Sequence, residues 1–160
     1  NMRYATKGQR SFGGSRVVPY IDGDYRTWAD ANLAVIVMIE TIQAVERAEE
    51  ILAVDGVVGC FIGPHDLALS MGISPKETGP GTAHEEAMLS VLAAAKKTGK
   101  AAGKHCYNAA ELSTRIGQGF QFLALASDAA FMAQAAHAAF NAIDFSGAAS
   151  ESHKPEGQLY

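Results

Sequence analysis

Four short apolar runs recur along the chain, each followed by a helix-like stretch: "LAVIVMIE" at 33–40, "VVGCFIG" at 57–63, "AAGKHCY" at 101–107 and "FQFLALAS" at 120–127. Each run is too short for an ordinary helix. The first is rich in β-branched residues, the pattern of a parallel strand buried on both faces. Between the runs the apolar spacing changes to three or four. Thr41 is placed to cap a helix with Ile42, Val45, Ile51 and Leu52 on one side and Glu46, Glu49 and Glu50 outward. Residues Leu67 to Gly81 read as an irregular loop. Thr82 and Glu85 then form a capping box for a helix through about Lys97, stopped by Gly99. Asn108, with Glu111 three residues on, opens another helix, and Asp128 caps an alanine-rich one to about Ile143. Such alternation predicts a parallel sheet with right-handed crossovers. An open doubly wound sheet and part of a (β/α)8 barrel both satisfy it. A complete barrel takes about 250 residues, so four units are half of one.

The ends of the chain differ from this pattern. Residues 1–32 hold "KGQRSFGGSR", whose glycines permit tight turns but lack the GK[ST] ending of a phosphate-binding loop. Residues 146–160 carry too few apolar groups to pack and are expected to be a flexible C-terminal tail after a domain at 1–145. The formal charge of −4 argues against a nucleic-acid partner, which would demand a basic patch. No apolar run approaches the roughly 20 residues of a membrane span, and none resembles a secretory leader. Cys60 and Cys106 sit singly in apolar runs, as buried reduced thiols do, which points to the cytoplasm.

Two carboxylates fall where parallel folds gather their chemistry, at the C-terminal ends of strands. Glu40 is the last residue of the first run, and Asp66 follows the second by three residues, in "FIGPHDLALSMG" at 61–72. Neighbouring parallel strands lie about 4.8 Å apart, so the two groups are able to converge. Two bare anions at that spacing repel, and a divalent cation such as Mg²⁺ or Mn²⁺ removes the repulsion. The alternative is structural: Glu40 as a cap for the next helix and Asp66 as a turn residue. His65 adjoins Asp66 and is the nearest imidazole for proton transfer, with packing or solvent as its other reading. His105 falls near the end of the third run. His84, His137 and His153 occupy helical or tail positions and read as solvent-facing.

The segment "VMIET", followed downstream by "VDGVVGCFIGPHDLALSMG", resembles the signature of the pyruvate-dependent class II aldolases of the 4-hydroxy-2-oxoheptanedioate and 2-keto-3-deoxy-sugar-acid types, in the phosphoenolpyruvate/pyruvate barrel superfamily. "RYATKGQRSFGG" is similar to the R-Y-P-P-x-G-x-R segment of that family, and "GFQFLALASD" to its last barrel strand. The resemblance runs in order from residue 2 to about 143, the C-terminal portion of the family pattern. It implies an α/β fold of TIM-barrel type, here about the second half, with Glu40 and Asp66 binding Mg²⁺, Mn²⁺ or Co²⁺. It further implies that backbone N–H groups at His65 and Asp66 hold the carboxylate of pyruvate. The activity implied is reversible cleavage of 4-hydroxy-2-oxo acids to pyruvate and an aldehyde, the metal stabilising the enolate as a Lewis acid.

Departures from the family pattern qualify that expectation. Met38 stands where a substrate-touching Gln is usual, His65 where the residue is small, and Ala5-Thr6 where two prolines are usual. The first four strands, which carry the family's base and an arginine that steadies the enolate, are not matched. The chain alone is therefore expected to be impaired, and to associate as a homo-oligomer or with a complementing chain. Two other functions remain open: an acyl-CoA lyase of the citrate-lyase β type, and a non-catalytic half-barrel that serves as an assembly partner.

Overall fold

The computed structural model describes residues 2–13, 16–144 and 146. They divide into two compact units, Asn1–Leu125 and Ala126–Tyr160. The first unit opens with a 3-10 turn, Val18–Tyr20, and helix α1, Tyr25–Asn32. The glycine-rich and polar look of 1–32 predicts neither. The signal for α1 was Asp24, whose carboxylate accepts from the N–H groups of Arg26 and Thr27. Tyr4, Tyr25 and Ala29 make a small apolar cluster here, apart from the main core.

Strand β1 (Val35–Ile39) follows, then helices α2 (Ile42–Glu46) and α3 (Ala48–Leu52), strand β2 (Val57–Ile62), and helices α4 (Pro64–Ser70) and α5 (Ala83–Thr98). Strand β3 (Ala101–Cys106), helix α6 (Ala109–Gln118) and strand β4 (Phe122–Leu125) complete the unit. The strands lie in the order β1-β2-β3-β4, and every neighbouring pair is parallel. A doubly wound sheet would reverse its order at a switch point. No reversal occurs, and the sheet is the wall of a partial barrel.

Local chemistry fixes most boundaries as expected. Thr41 Oγ1 accepts from the Ala44 N–H, Thr82 Oγ1 from the Glu85 N–H, and Asn108 Oδ1 from the Glu111 N–H. Gly99 ends α5 at φ 68, a left-handed conformation that costs a residue with a side chain. Three expectations change. The helix after β1 is two short ones, interrupted at Arg47 (φ −107, ψ 15). The segment after Gly63 is no loop at first: Pro64, whose φ is already helical, starts α4. In the second unit, Ser127 rather than Asp128 caps helix α7 (Asp128–Asn141), its Oγ accepting from the Ala130 N–H at 3.2 Å. The tail expected at 146–160 lies, apart from Ser146, outside the described residues.

The core occupies the helix-facing side of the sheet. Ile39, Cys60, Ile62 and Ala102 point there and meet Leu52 of α3 and Met88, Val91 and Ala95 of α5, all essentially buried. Each large aliphatic group so placed contributes about 1.5–3 kcal/mol. The other side of the same strands is open. Ile36 and Met38 of β1 are 41% and 52% exposed, so β1 is buried on one face where its sequence predicted two. Both cysteines are buried and unpaired. Among the described residues, no helix is long and apolar enough to cross a membrane.

Candidate metal and substrate site

Strand register places Glu40 and its neighbours at one end of the sheet. Ile39 pairs with Ile62, Ile62 with Lys104, and His105 with Ala124. One residue beyond Ile39 and Ile62 lie Glu40 and Gly63. The resulting cross-sheet row is Glu40, Gly63, His105 and Ala124, and period-two alternation turns it away from the helices. The Gly63 N–H bonds the Ile39 carbonyl at 3.2 Å and ties the two strand ends together. A methyl on Gly63 would lie 2.9 Å from Glu40 Oε2 and 3.1 Å from Glu40 Cβ. Glycine is what gives the Glu40 carboxylate its place beside β2.

Asp66 stands at the same end, in the first turn of α4. The cap reading of Glu40 is not what forms, since Thr41 supplies the cap of α2 and Ser70 Oγ accepts from the Ile42 N–H. Ion pairs among the described residues engage Glu49, Glu50, Asp55, Glu85 and Glu111, but neither Glu40 nor Asp66. Two uncommitted carboxylates at one end of adjacent parallel strands suit a hard divalent cation. Among the described residues, no cluster of three or more His, Cys, Asp or Glu groups is arranged to hold a metal. Mg²⁺ commonly takes only one or two carboxylates and fills its other positions with water or substrate, so the pair fits it.

Three rings line the adjoining edge. His65 stacks on Tyr107 with centroids 5.0 Å apart and an interplanar angle of 19°. His105 meets the other part of Tyr107 edge-on, also at 5.0 Å. His105 thus lies beside Tyr107 at the end of β3. Tyr107 carried no motif and the sequence reading missed it. Loss of water around its phenol, then the negative charges of Glu111 and Asp66, push Tyr107 up to about 12, although the residue as a whole is 42% exposed. Its hydroxyl stays protonated throughout the physiological range.

Behind Tyr107 lies a buried charge cluster. Lys104 of β3, 1% exposed, pairs with Glu111 of α6; Glu85 of α5 takes a two-pronged bond from Arg115 of α6. Glu111 also accepts from the Tyr107 N–H at 2.9 Å, which fastens the tyrosine to the cluster. Bonds from Arg115 hold the Glu85 carboxyl below its ordinary value, and Glu85 in turn raises Arg115. Burial pushes Glu111 up, but Lys104 and the Tyr107 N–H outweigh it. The box partner expected at Glu85 is therefore spent on Arg115. His84, read as solvent-facing, is 1% exposed, with Nε2 2.8 Å from the Pro64 carbonyl oxygen. His137 is exposed, and His153 lies outside the described residues.

Comparison with known proteins follows the same lines. The sequence profile of the HpcH/HpaI aldolase/citrate lyase family matches residues 1–135. A hydroxypyruvate/pyruvate aldolase of Rhizorhabdus wittichii is 34% identical over 135 residues, 84% of this chain and 54% of that protein. A 4-hydroxy-2-oxo-heptane-1,7-dioate aldolase of Escherichia coli is 34% identical over 117 residues, 72% of this chain and 43% of that protein. The crystal structure of an HpcH/HpaI aldolase/citrate lyase family protein from Burkholderia cenocepacia superposes with a TM-score of 0.78 at 30% identity, covering 88% of this chain and 56% of that one. The chain spans about half the length of the curated relatives it matches. By this match over residues 1–135 and these identities, the chain belongs to the HpcH/HpaI aldolase/citrate lyase family.

Proposed function

We propose that residues 1–145 form the half-barrel that carries the metal-binding carboxylates of a pyruvate-type aldolase, with Glu40 and Asp66 as ligands of Mg²⁺, Mn²⁺ or Co²⁺. The observation that carries this reading is the pair itself: two carboxylates, free of ion pairs among the described residues, at one end of neighbouring parallel strands. The names of the relatives support 4-hydroxy-2-oxo acids as substrates, split reversibly into pyruvate and an aldehyde. A bound divalent cation would polarise the oxo group of such an acid as a Lewis acid. The chain's own groups supply part of the rest. Backbone N–H groups of His65 and Asp66 receive the substrate carboxylate at the start of α4. His65, braced by Tyr107, is the nearest imidazole for moving the proton of the C4 hydroxyl.

Mn²⁺ titration of the chain, followed by electron paramagnetic resonance, tests the ligand assignment. Glu40→Gln and Asp66→Asn should each weaken binding by about 100-fold or more while circular dichroism is unchanged. Undiminished binding in both variants would remove the site. Cleavage by this chain alone should be slow, because the strands that carry the family's base are not matched here, His65 is only a substitute for it, and loss of a general base costs roughly 10²–10⁴-fold. Rapid turnover of a 4-hydroxy-2-oxo acid would contradict that part.

An acyl-CoA lyase activity is the second reading, since the family name spans aldolases and citrate lyases. Hydrolytic or lyase cleavage of a CoA thioester without 2-oxo acid cleavage would favour it. The open side of the sheet, with Ile36, Met38 and Phe122 exposed, supports association with a second half-barrel, a copy or a complementing chain. Sedimentation velocity should show association, and a stable monomer would argue against it.

A further inference from the structure

We propose, on the basis of Glu40 and Asp66 as metal ligands, that Tyr107 is a specificity-determining residue of the same site, one that receives a flat, uncharged group at the aldehyde end of the substrate. Among the described residues β1 is an edge strand, so the cross-sheet row that starts at Glu40 continues in one direction only, through Gly63 to His105 and Ala124. A substrate whose 2-oxo acid end is held at Glu40 and Asp66 therefore finds this chain's surface only toward β3. There His65, Tyr107 and His105 meet.

The Tyr107 ring is held before any ligand arrives. His65 stacks on it, and its backbone N–H is fastened to Glu111, which the buried Lys104 holds in turn. A ring fixed in this way loses little freedom on binding, and the residue is still 42% exposed. Its surroundings disfavour an anion. Loss of water, then the carboxylates of Glu111 and Asp66, raise its hydroxyl, so negative charge reaches the ring. The cations behind it, Lys104 and Arg115, are spent on Glu111 and Glu85. One row further along the same sheet face, Met38, Phe61, Gly103 and Phe122 stand side by side, with Phe61 and Phe122 edge to face at 5.6 Å. That row offers carbon and sulfur where a dicarboxylate or a sugar acid would need hydrogen-bond donors. Ring and row both suit an aromatic group, and stacking on a fixed ring favours one by up to roughly 10-fold.

Three acids that lack a C4 hydroxyl, and so are not cleaved, report the preference: 2-oxobutanoate, 2-oxo-4-phenylbutanoate and 2-oxoheptanedioate. Each is titrated calorimetrically into the Mn²⁺-loaded chain. The phenyl acid should bind about 10-fold more tightly than 2-oxobutanoate, and the dicarboxylate no more tightly. Tyr107→Phe should keep that ratio. Tyr107→Ser should bring it to within about 2-fold while 2-oxobutanoate binds as before, because the bond to Glu111 comes from the backbone and survives the change. Equal weakening of all three acids in Tyr107→Ser would make the tyrosine a structural residue and overturn the proposal. An undiminished ratio in that variant, or tighter binding of the dicarboxylate by the unaltered chain, would overturn it as well. Absence of Mn²⁺ binding by the unaltered chain would remove Glu40 and Asp66 as ligands, and the preference with them. Mn²⁺ and all three acids bound without preference would count against Tyr107 alone.

Discussion

The two faces of the four-stranded sheet are built from alternate residues of the same strands, yet they differ in almost every physical respect. On the helix side, Ile39, Cys60, Ile62, Ala102 and Cys106 are buried, and even the charged Lys104 is fully matched. On the other side, Ile36, Met38 and Phe122 lie exposed, and glycines stand at 59, 63 and 103 where side chains would otherwise project. The first face is where the unit's stability resides. The second is the face on which the proposed chemistry would be displayed, because the strand ends that carry Glu40 and His105 belong to it. A chain is able to hold a functional surface open only if another surface supplies the free energy of folding.

The sharpest way to break the contrast is to attack the buried pair on the packed side. Arg115→Met leaves Glu85 buried without its ion-pair partner, with only the 3.4 Å bond from Gln118 Nε2, and should cost about 3–5 kcal/mol in urea unfolding. The same pair contributes to the acid limb of stability. Glu85 is held below its ordinary value of 4.5, so its contribution is complete above that value and is lost as pH falls through the depressed one. Glu85→Leu combined with Arg115→Met should recover most of the loss and shallow the acid limb. An unchanged acid limb in the double variant would show that other carboxylates govern it.

Next in size is Ile62→Ala, which opens a cavity under α5 and should cost about 2–5 kcal/mol. On the open face the expected scale falls. Gly103 is the exception, since a methyl there would meet the Phe122 carbonyl oxygen at 2.2 Å and its Cβ at 2.9 Å. Gly103→Ala should cost roughly 1–3 kcal/mol through displacement of β4. Smallest of all, Met38→Gln should change unfolding free energy by no more than about 0.5 kcal/mol at concentrations where the chain is a monomer. A penalty for Met38→Gln equal to that of Ile62→Ala would mean that something covers the open face.

How far the sequence reveals this depends on whether a property is local. Caps are local, and Thr41, Thr82 and Asn108 announce their helices in three or four residues. Strand type was readable from the short apolar runs between helices, while strand order was not, since a doubly wound sheet and a half barrel satisfied the same pattern until the family resemblance chose between them. The carboxylates were readable as strand ends. Burial on one face or two was not, because it depends on what lies across the sheet and not on the strand. Nor was the role of Glu85, for which the capping box and Arg115, thirty residues away, compete for one side chain. Tyr107 was hidden for a related reason: its partners His65 and Asp66 come from another strand end. Lys104 did leave a trace, a charge inside the apolar run "AAGKHCY", with Glu111 seven residues on to receive it.

The bond from His84 to the Pro64 carbonyl has a bearing on what this half-barrel can become. It clamps the start of α5 against the start of α4, so both ends of the intervening segment are anchored independently of its length. Closing a longer loop between fixed ends costs little, about 0.6 kcal/mol for each doubling. The stretch from Ser74 to Glu77 is therefore free to lengthen or shorten while Asp66 stays where it is, whereas Thr78, Gly79 and Pro80 line the cleft between α5 and α6. Variation in the length of that stretch is thermodynamically uncoupled from the position of Asp66, and selection is able to remodel one without disturbing the other.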